Sequence, residues 1–144
     1  MSGPISTSTL HVSRTQVISD DSGVLMVAEG GRHVPFPIRR TFVVAGVAPG
    51  VKRGHHAHRE CHQLLICLGG RISVSVSDGG APRIFTLERL GDCLHIPPGL
   101  WAEQVYEEPG TILMVLCDQP YDEGDYLREF DQFLAWRAAL PKEA

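Results

Sequence analysis

The sequence predicts an all-β sandwich or barrel completed by one C-terminal helix, and three observations lead there. Residues 71–77 read Arg-Ile-Ser-Val-Ser-Val-Ser, a strict alternation that puts Ile72, Val74 and Val76 on one face. Short apolar runs recur along the middle of the chain at intervals of about ten residues, with turn residues between them. A single stretch of helical spacing follows, close to the C-terminus.

Taken in order, residues 24–28 and 36–47 read as extended, followed by the apolar run 63–68. Gly69-Gly70 separates that run from the alternating strand 71–77 and predicts a hairpin, because both turn residues can take positive φ. Asp78-Gly79-Gly80 marks the next reversal, and strands are predicted at 83–87, 93–96, 101–106 and 111–117. Pro82, Pro97, Pro98 and Pro109 fall between the runs, where a missing ladder donor does no harm. The helix is predicted over about residues 123–139, with Asp122 as its cap and Glu123 and Asp125 in its first turn. Tyr126, Phe130, Phe133 and Leu134 form its packing face, and Pro141 ends it.

Length and composition bound the function. With 144 residues the chain is read as one domain, residues 1–144, large enough to fold without a disulfide or metal staple. A formal charge of −4 argues against coating a nucleic acid, and no apolar run approaches the ~20 residues of a membrane span. The charge is uneven: residues 1–100 carry 10 basic and 7 acidic side chains, residues 101–144 carry 3 and 10. Residues 1–10 form a polar tail without the basic and apolar regions of a secretory signal, which predicts a cytoplasmic protein. Cys61, Cys67, Cys93 and Cys117 lie inside apolar runs without CxxC spacing, as buried reduced thiols would.

Chemistry concentrates in residues 53–63, Arg-Gly-His-His-Ala-His-Arg-Glu-Cys-His-Gln, which hold four of the seven histidines. His56 and His58 are two apart, so on a strand both leave the same face. Two imidazoles aimed into one cavity serve either a metal or acid–base work.

This pattern resembles the cupin superfamily, a jelly-roll β-barrel. His56-Ala57-His58 stands at the pair of histidines of the first cupin motif, and Gly70 at its closing glycine. Gly91, Pro97 and Gly99 are in register with the second motif. Gln63 stands where the glutamate ligand is expected, and Ala102 where the last histidine is expected. Two of four ligands are gone, including the only anionic one, and a pair of neutral imidazoles is a poor site for Zn²⁺, Fe²⁺ or Mn²⁺. Glu60 and His62 share strand parity with His58 and are the available substitutes. The residues therefore point to metal-free proton transfer by imidazole, whose ordinary pKa near 6.5 suits it.

A narrower resemblance covers most of the chain. Asp21-Ser22-Gly23-Val24-Leu25, Val34-Pro35-Phe36-Pro37-Ile38-Arg39-Arg40, Arg53-Gly54-His55-His56-Ala57-His58 and Tyr121-Asp122-Glu123-Gly124-Asp125-Tyr126-Leu127-Arg128 are similar to the dTDP-sugar 3,4-ketoisomerases, the WxcM-like cupins of deoxysugar biosynthesis. The resemblance implies a homodimer that moves the ketone of dTDP-4-keto-6-deoxyglucose from C4 to C3 through an enediol(ate), with no cofactor and no metal. It implies His56 and His58 as the catalytic pair. Arg53, Arg40, Gln63 and Trp101 are the candidates for holding the nucleotide sugar, Arg through forked contacts to sugar oxygens or pyrophosphate and Trp by stacking. The chain departs from the family at Phe42, where a tyrosine is common, and at Ala102, which follows the loop Trp. The other readings are a different isomerase or epimerase of nucleotide sugars, a non-catalytic sugar- or nucleotide-binding cupin, and a metal-dependent oxygenase.

Overall fold

Alternating apolar residues become the inner faces of two antiparallel sheets that pack on each other. The computed structural model of the chain describes residues 5–141. Its strands are β1 (Val12–Arg14), β2 (Gln16–Asp20), β3 (Gly23–Val27), β4 (Arg40–Val44), β5 (Lys52–His58), β6 (Gln63–Gly69), β7 (Ile72–Ser77), β8 (Arg83–Leu87), β9 (Asp92–Ile96), β10 (Trp101–Tyr106), β11 (Ile112–Cys117) and β12 (Tyr126–Leu127). One helix, α1 (Phe130–Ala138), follows. The first sheet runs β1-β9-β6-β11-β4 and the second β12-β5-β10-β7-β8, with β2 and β3 as a separate hairpin. The architecture is all-β, a jelly roll with a C-terminal helix, and the two sheets stay separate rather than closing into one hydrogen-bonded barrel.

The core between the sheets takes Leu65, Cys67, Leu113, Val115 and Cys117 from one side and Ile72, Val74, Val76 and Tyr106 from the other. Ala102 packs against the same cluster, which fixes the inner face of β10 as 102, 104 and 106. All four cysteines are buried free thiols.

Four expectations change. Gly69-Gly70 does not make a hairpin: β6 pairs with β9 and β11, whereas β7 pairs with β8 and β10, so the chain changes sheets there. Glycine is still needed at 70. Its φ is +74°, and a Cβ would lie 2.6 Å from Thr111 Cα. The extended segment 36–47 is a strand only over Arg40–Val44, because Pro35 and Pro37 have no amide to give a ladder. The helix begins at Phe130 rather than near 123. Asp122 caps a single 3-10 turn, Glu123–Asp125, and residues 126 and 127 pair with β5 as β12. The polar tail lies outside the described residues at 1–4, but from Thr7 it is docked. Arg83 donates to the Thr7 and Leu10 carbonyls, and Leu10 joins the core.

Candidate active site

A β-bulge builds the site. On β5, His56 lies opposite Ala102, and Gly54 opposite Glu103, which leaves His55 as the extra residue at φ +56°. Arg53 then lies opposite Gln104. Without the bulge, a spacing of three would send Arg53 and His56 to opposite faces. With it, Arg53, His56 and His58 all fall on the inner side of the sheet. Gly54 permits this: its φ is +94°, and a Cβ would meet the Ala102 carbonyl at 3.0 Å. The His55 ring is turned to the outside, 3.7 Å from Glu103.

The two histidines meet edge to face, with ring centroids 4.9 Å apart. Each is held by its Nδ1. His56 Nδ1–H donates to the Gly54 carbonyl at 3.0 Å, and His58 Nδ1–H donates to Asp125 Oδ2 at 2.8 Å. Asp125 is itself fixed by backbone amides, Glu60 N–H on Oδ1 and Cys61 N–H on Oδ2. Both rings therefore carry their lone pair on Nε2, the tautomer that can take a proton. Four buried side-chain polar atoms lack a partner among the described residues, and two of them, His58 Nε2 and Arg40 Nε, belong to this site. Buried polar atoms without partners are costly and few in folded proteins.

Burial disfavours the charged form of both rings. Burial, and then the neighbouring His58, push His56 down to about 4. Burial also lowers His58, opposed by the bond to Asp125 and aided by the charges of Arg40 and Arg128. Tyr126, the β12 partner of His58, lies 4.4 Å from that ring and 5.0 Å from His56. Arg128 lies over the Tyr126 ring, 4.2 Å from its centroid, and makes a two-bond pair with Glu123, which also accepts from the Tyr121 hydroxyl. The bonds from Arg128 and Tyr121 hold Glu123 down to about 2.

Arg40, Cys117 and Gln63 face the histidines from the other sheet. They form one rung across β4, β11 and β6. Gln63 is buried and donates to Cys117 Sγ, and Arg40 lies over the rings of Phe42 and Tyr121 at 5.6 Å each. Arg53 is exposed and lies beside the Tyr106 phenol. Trp101 does not join the group. It points outward, where it packs with Ala57, Leu127 and Phe133 and donates its indole N–H to Glu103. Its position on β10 has odd parity to Ala102, which is what turns it away.

For a metal, the cupin positions offer only the two Nε2 atoms. Glu60 is exposed, and His62 turns to the outer face, where its Nδ1 lies 2.9 Å from His95 Nε2. His58, Cys61 and Asp125 do place donor-type atoms within 4.8 Å of one another. There, however, the carboxylate is already occupied by two amides and by His58 itself. The sequence reading missed Asp125, Tyr121, Tyr126, Arg128 and Cys117 as site residues. The motif at 121–128 was the available signal, but its acidic residues also fit a helix start.

Comparison with known proteins identifies the family. The model of the family FdtA, described as WxcM-like, C-terminal, matches residues 8–138. The chain belongs to the FdtA family. A relative within reach of this FdtA-family chain is the TDP-4-oxo-6-deoxy-alpha-D-glucose-3,4-oxoisomerase of Aneurinibacillus thermoaerophilus, 32% identical over 126 residues, 88% of this chain and 91% of that protein. The crystal structure of QdtA, a sugar 3,4-ketoisomerase from Thermoanaerobacterium thermosaccharolyticum in complex with TDP, superposes with a TM-score of 0.86 at 30% identity, covering 91% of this chain and 96% of that one. A 3,4-ketoisomerase from Helicobacter canadensis gives 0.85 at 29% identity, covering 90% and 98%. A His-to-Asn mutant of QdtA, in complex with TDP-4-keto-6-deoxyglucose, also gives 0.85 at 30% identity, covering 90% and 94%. Among the described residues of this FdtA-family protein, no helix is long and apolar enough to cross a membrane.

Proposed function

We propose that this chain is a dTDP-sugar 3,4-ketoisomerase that moves the ketone of dTDP-4-keto-6-deoxyglucose from C4 to C3. The observation that carries the reading is the pair of inward imidazoles, each anchored by Nδ1–H with Nε2 free, one of them backed by a carboxylate. The C3 proton is acidified because its loss gives an enediolate shared with the C4 carbonyl. His56 Nε2 takes that proton. His58 Nε2 takes the O3 proton and returns it at C4, and the proton held on His56 passes to O4, which leaves the ketone at C3 and both rings neutral again. Asp125 suits His58 to this part, since it stabilises the imidazolium that must give the proton. The low pKa of His56 keeps it unprotonated and ready at neutral pH. Arg40 and Arg53, from two sheets, hold the sugar oxygens and the pyrophosphate, and Gln63 donates to a substrate oxygen. Every step uses groups that this chain supplies.

The working unit in this reading is a homodimer in the cytoplasm. Ile18, Val24 and Leu25 on the β2–β3 hairpin stay solvent-exposed in one chain, and four reduced thiols suit a reducing compartment. The direct test is NMR of the product formed from dTDP-4-keto-6-deoxyglucose, with the reaction repeated in D₂O. Deuterium is expected at a carbon next to the ketone; a binding protein would leave the sugar unlabelled. His56→Asn and His58→Asn are expected to abolish nearly all turnover with an unchanged circular dichroism spectrum. Full activity in the His56 variant ends this assignment.

A further inference from the structure

Cys117 ends β11 on the inner face, fully buried, with Arg40 of β4 and Gln63 of β6 as its two cross-strand neighbours. Such neighbours hold their Cβ atoms about 5 Å apart. Here both turn a donor onto one sulfur, Arg40 Nη2 at 3.5 Å and Gln63 Nε2 at 3.6 Å. A neutral thiol is a weak acceptor, whereas a thiolate needs such donors. Arg40 has the matching requirement. Among the described residues no carboxylate lies within 4.0 Å of it, and its other neighbours are the rings of Phe42 and Tyr121 and the Tyr126 phenol. The Cys117 sulfur is the one group touching this half-buried cation that can ionise near neutral pH.

We infer that Cys117 is the positioning residue of Arg40: its sulfur, as an anion, takes the place of a carboxylate, pins Nη2, and leaves the free Nε–H for the bound sugar nucleotide. The inference rests on the binding role proposed above for Arg40. The ionisable groups facing the sulfur agree with it. Neighbouring Cys61, then Arg40 and Gln63, outweigh burial and bring Cys117 below the usual thiol range, while the Cys61 S–H itself is given to the His62 carbonyl. Cys61, through its neighbour Cys117 and burial, and Cys67 and Cys93, through burial, are pushed above it. Among the described residues, Cys117 is the cysteine of the four whose sulfur faces two nitrogen donors.

Two measurements test this. Thiolate absorbance in the ultraviolet, followed against pH in the substrate-free protein, is expected to show one cysteine ionising below the value of about 8.5 of a free thiol. That step is expected to vanish in Cys117→Ser and to move upward in Arg40→Gln. In the second measurement, Cys117→Ser is expected to raise the Kd for TDP and the KM for TDP-4-keto-6-deoxyglucose about ten-fold, with kcat within about two-fold. A protein in which all four thiols titrate at or above the free value overturns the inference, as does a low titration that Arg40→Gln leaves in place. Cys117→Ser with wild-type KM and Kd does the same. If the titration behaves as expected but Arg40→Gln binds TDP like the wild type, the binding role of Arg40 is what fails, and the positioning role falls with it.

Discussion

Asp125 holds His58 from 67 positions away, Oδ2 to Nδ1 at 2.8 Å, while its two oxygens also accept the amides of Glu60 and Cys61. This one carboxylate orients the ring, sets its tautomer and closes the turn that leads out of β5. An asparagine has one acceptor oxygen, so its NH₂ would have to face either an amide or the imidazole N–H. Asp125→Asn is therefore expected to lower kcat about 10²-fold or more with a small change in KM, read in steady-state turnover of TDP-4-keto-6-deoxyglucose. A variant with unchanged kcat would remove Asp125 from the mechanism.

The neutral state of the histidines makes a pH prediction. His56 has its folded pKa near 4, below the ordinary 6.5 that it regains on unfolding. Above 6.5 neither state is protonated and the group has no effect. As pH falls from 6.5 toward 4 the unfolded chain takes up the proton first, so stability declines across that window, by roughly 3 kcal/mol at most, and levels off below it. His58, lowered as well, adds to the same trend. Urea denaturation between pH 7.5 and 4 checks this, and His56→Asn is expected to flatten the decline. The acid limb of kcat/KM in the wild type is expected below 6.5, because the base stays unprotonated there.

Trp101 separates binding from packing. It seals α1 against β5 through Ala57, Leu127 and Phe133 on the face opposite the histidines. Trp101→Ala is expected to cost about 3–5 kcal/mol of stability. At low temperature, where it remains folded, its Kd for TDP should match the wild type in calorimetric titration. A large loss of TDP affinity in the folded variant would return Trp101 to the site.

Ala102 is the cross-strand partner of His56 on the inner face, and both histidines leave Nε2 free. Ala102→His is thus expected to complete a three-imidazole set and raise the affinity for Zn²⁺ at least about ten-fold over the wild type. Isothermal titration with Zn²⁺ reads the gain; equal affinities would mean that the three rings do not converge.

Much was legible in the sequence because it depends on local order. The alternation at 71–77 fixed a strand with Ile72, Val74 and Val76 inward, and the two-residue step from His56 to His58 put two imidazoles on one face, since side chains on a strand repeat every second residue. The match of the tail 121–128 to a known family was legible too, but not its place. Only the tertiary structure folds Tyr126 onto His58 and brings Asp125 beneath it, contacts between residues far apart in the chain that no local period records. It also decided that Gly69-Gly70 turns the chain from one sheet to the other, which a pair of glycines permits as readily as a hairpin. The bulge at Gly54-His55 is the sharpest case: one extra residue reverses strand parity, so Arg53 joins His56 on the inner face, and the only cause is the register against β10.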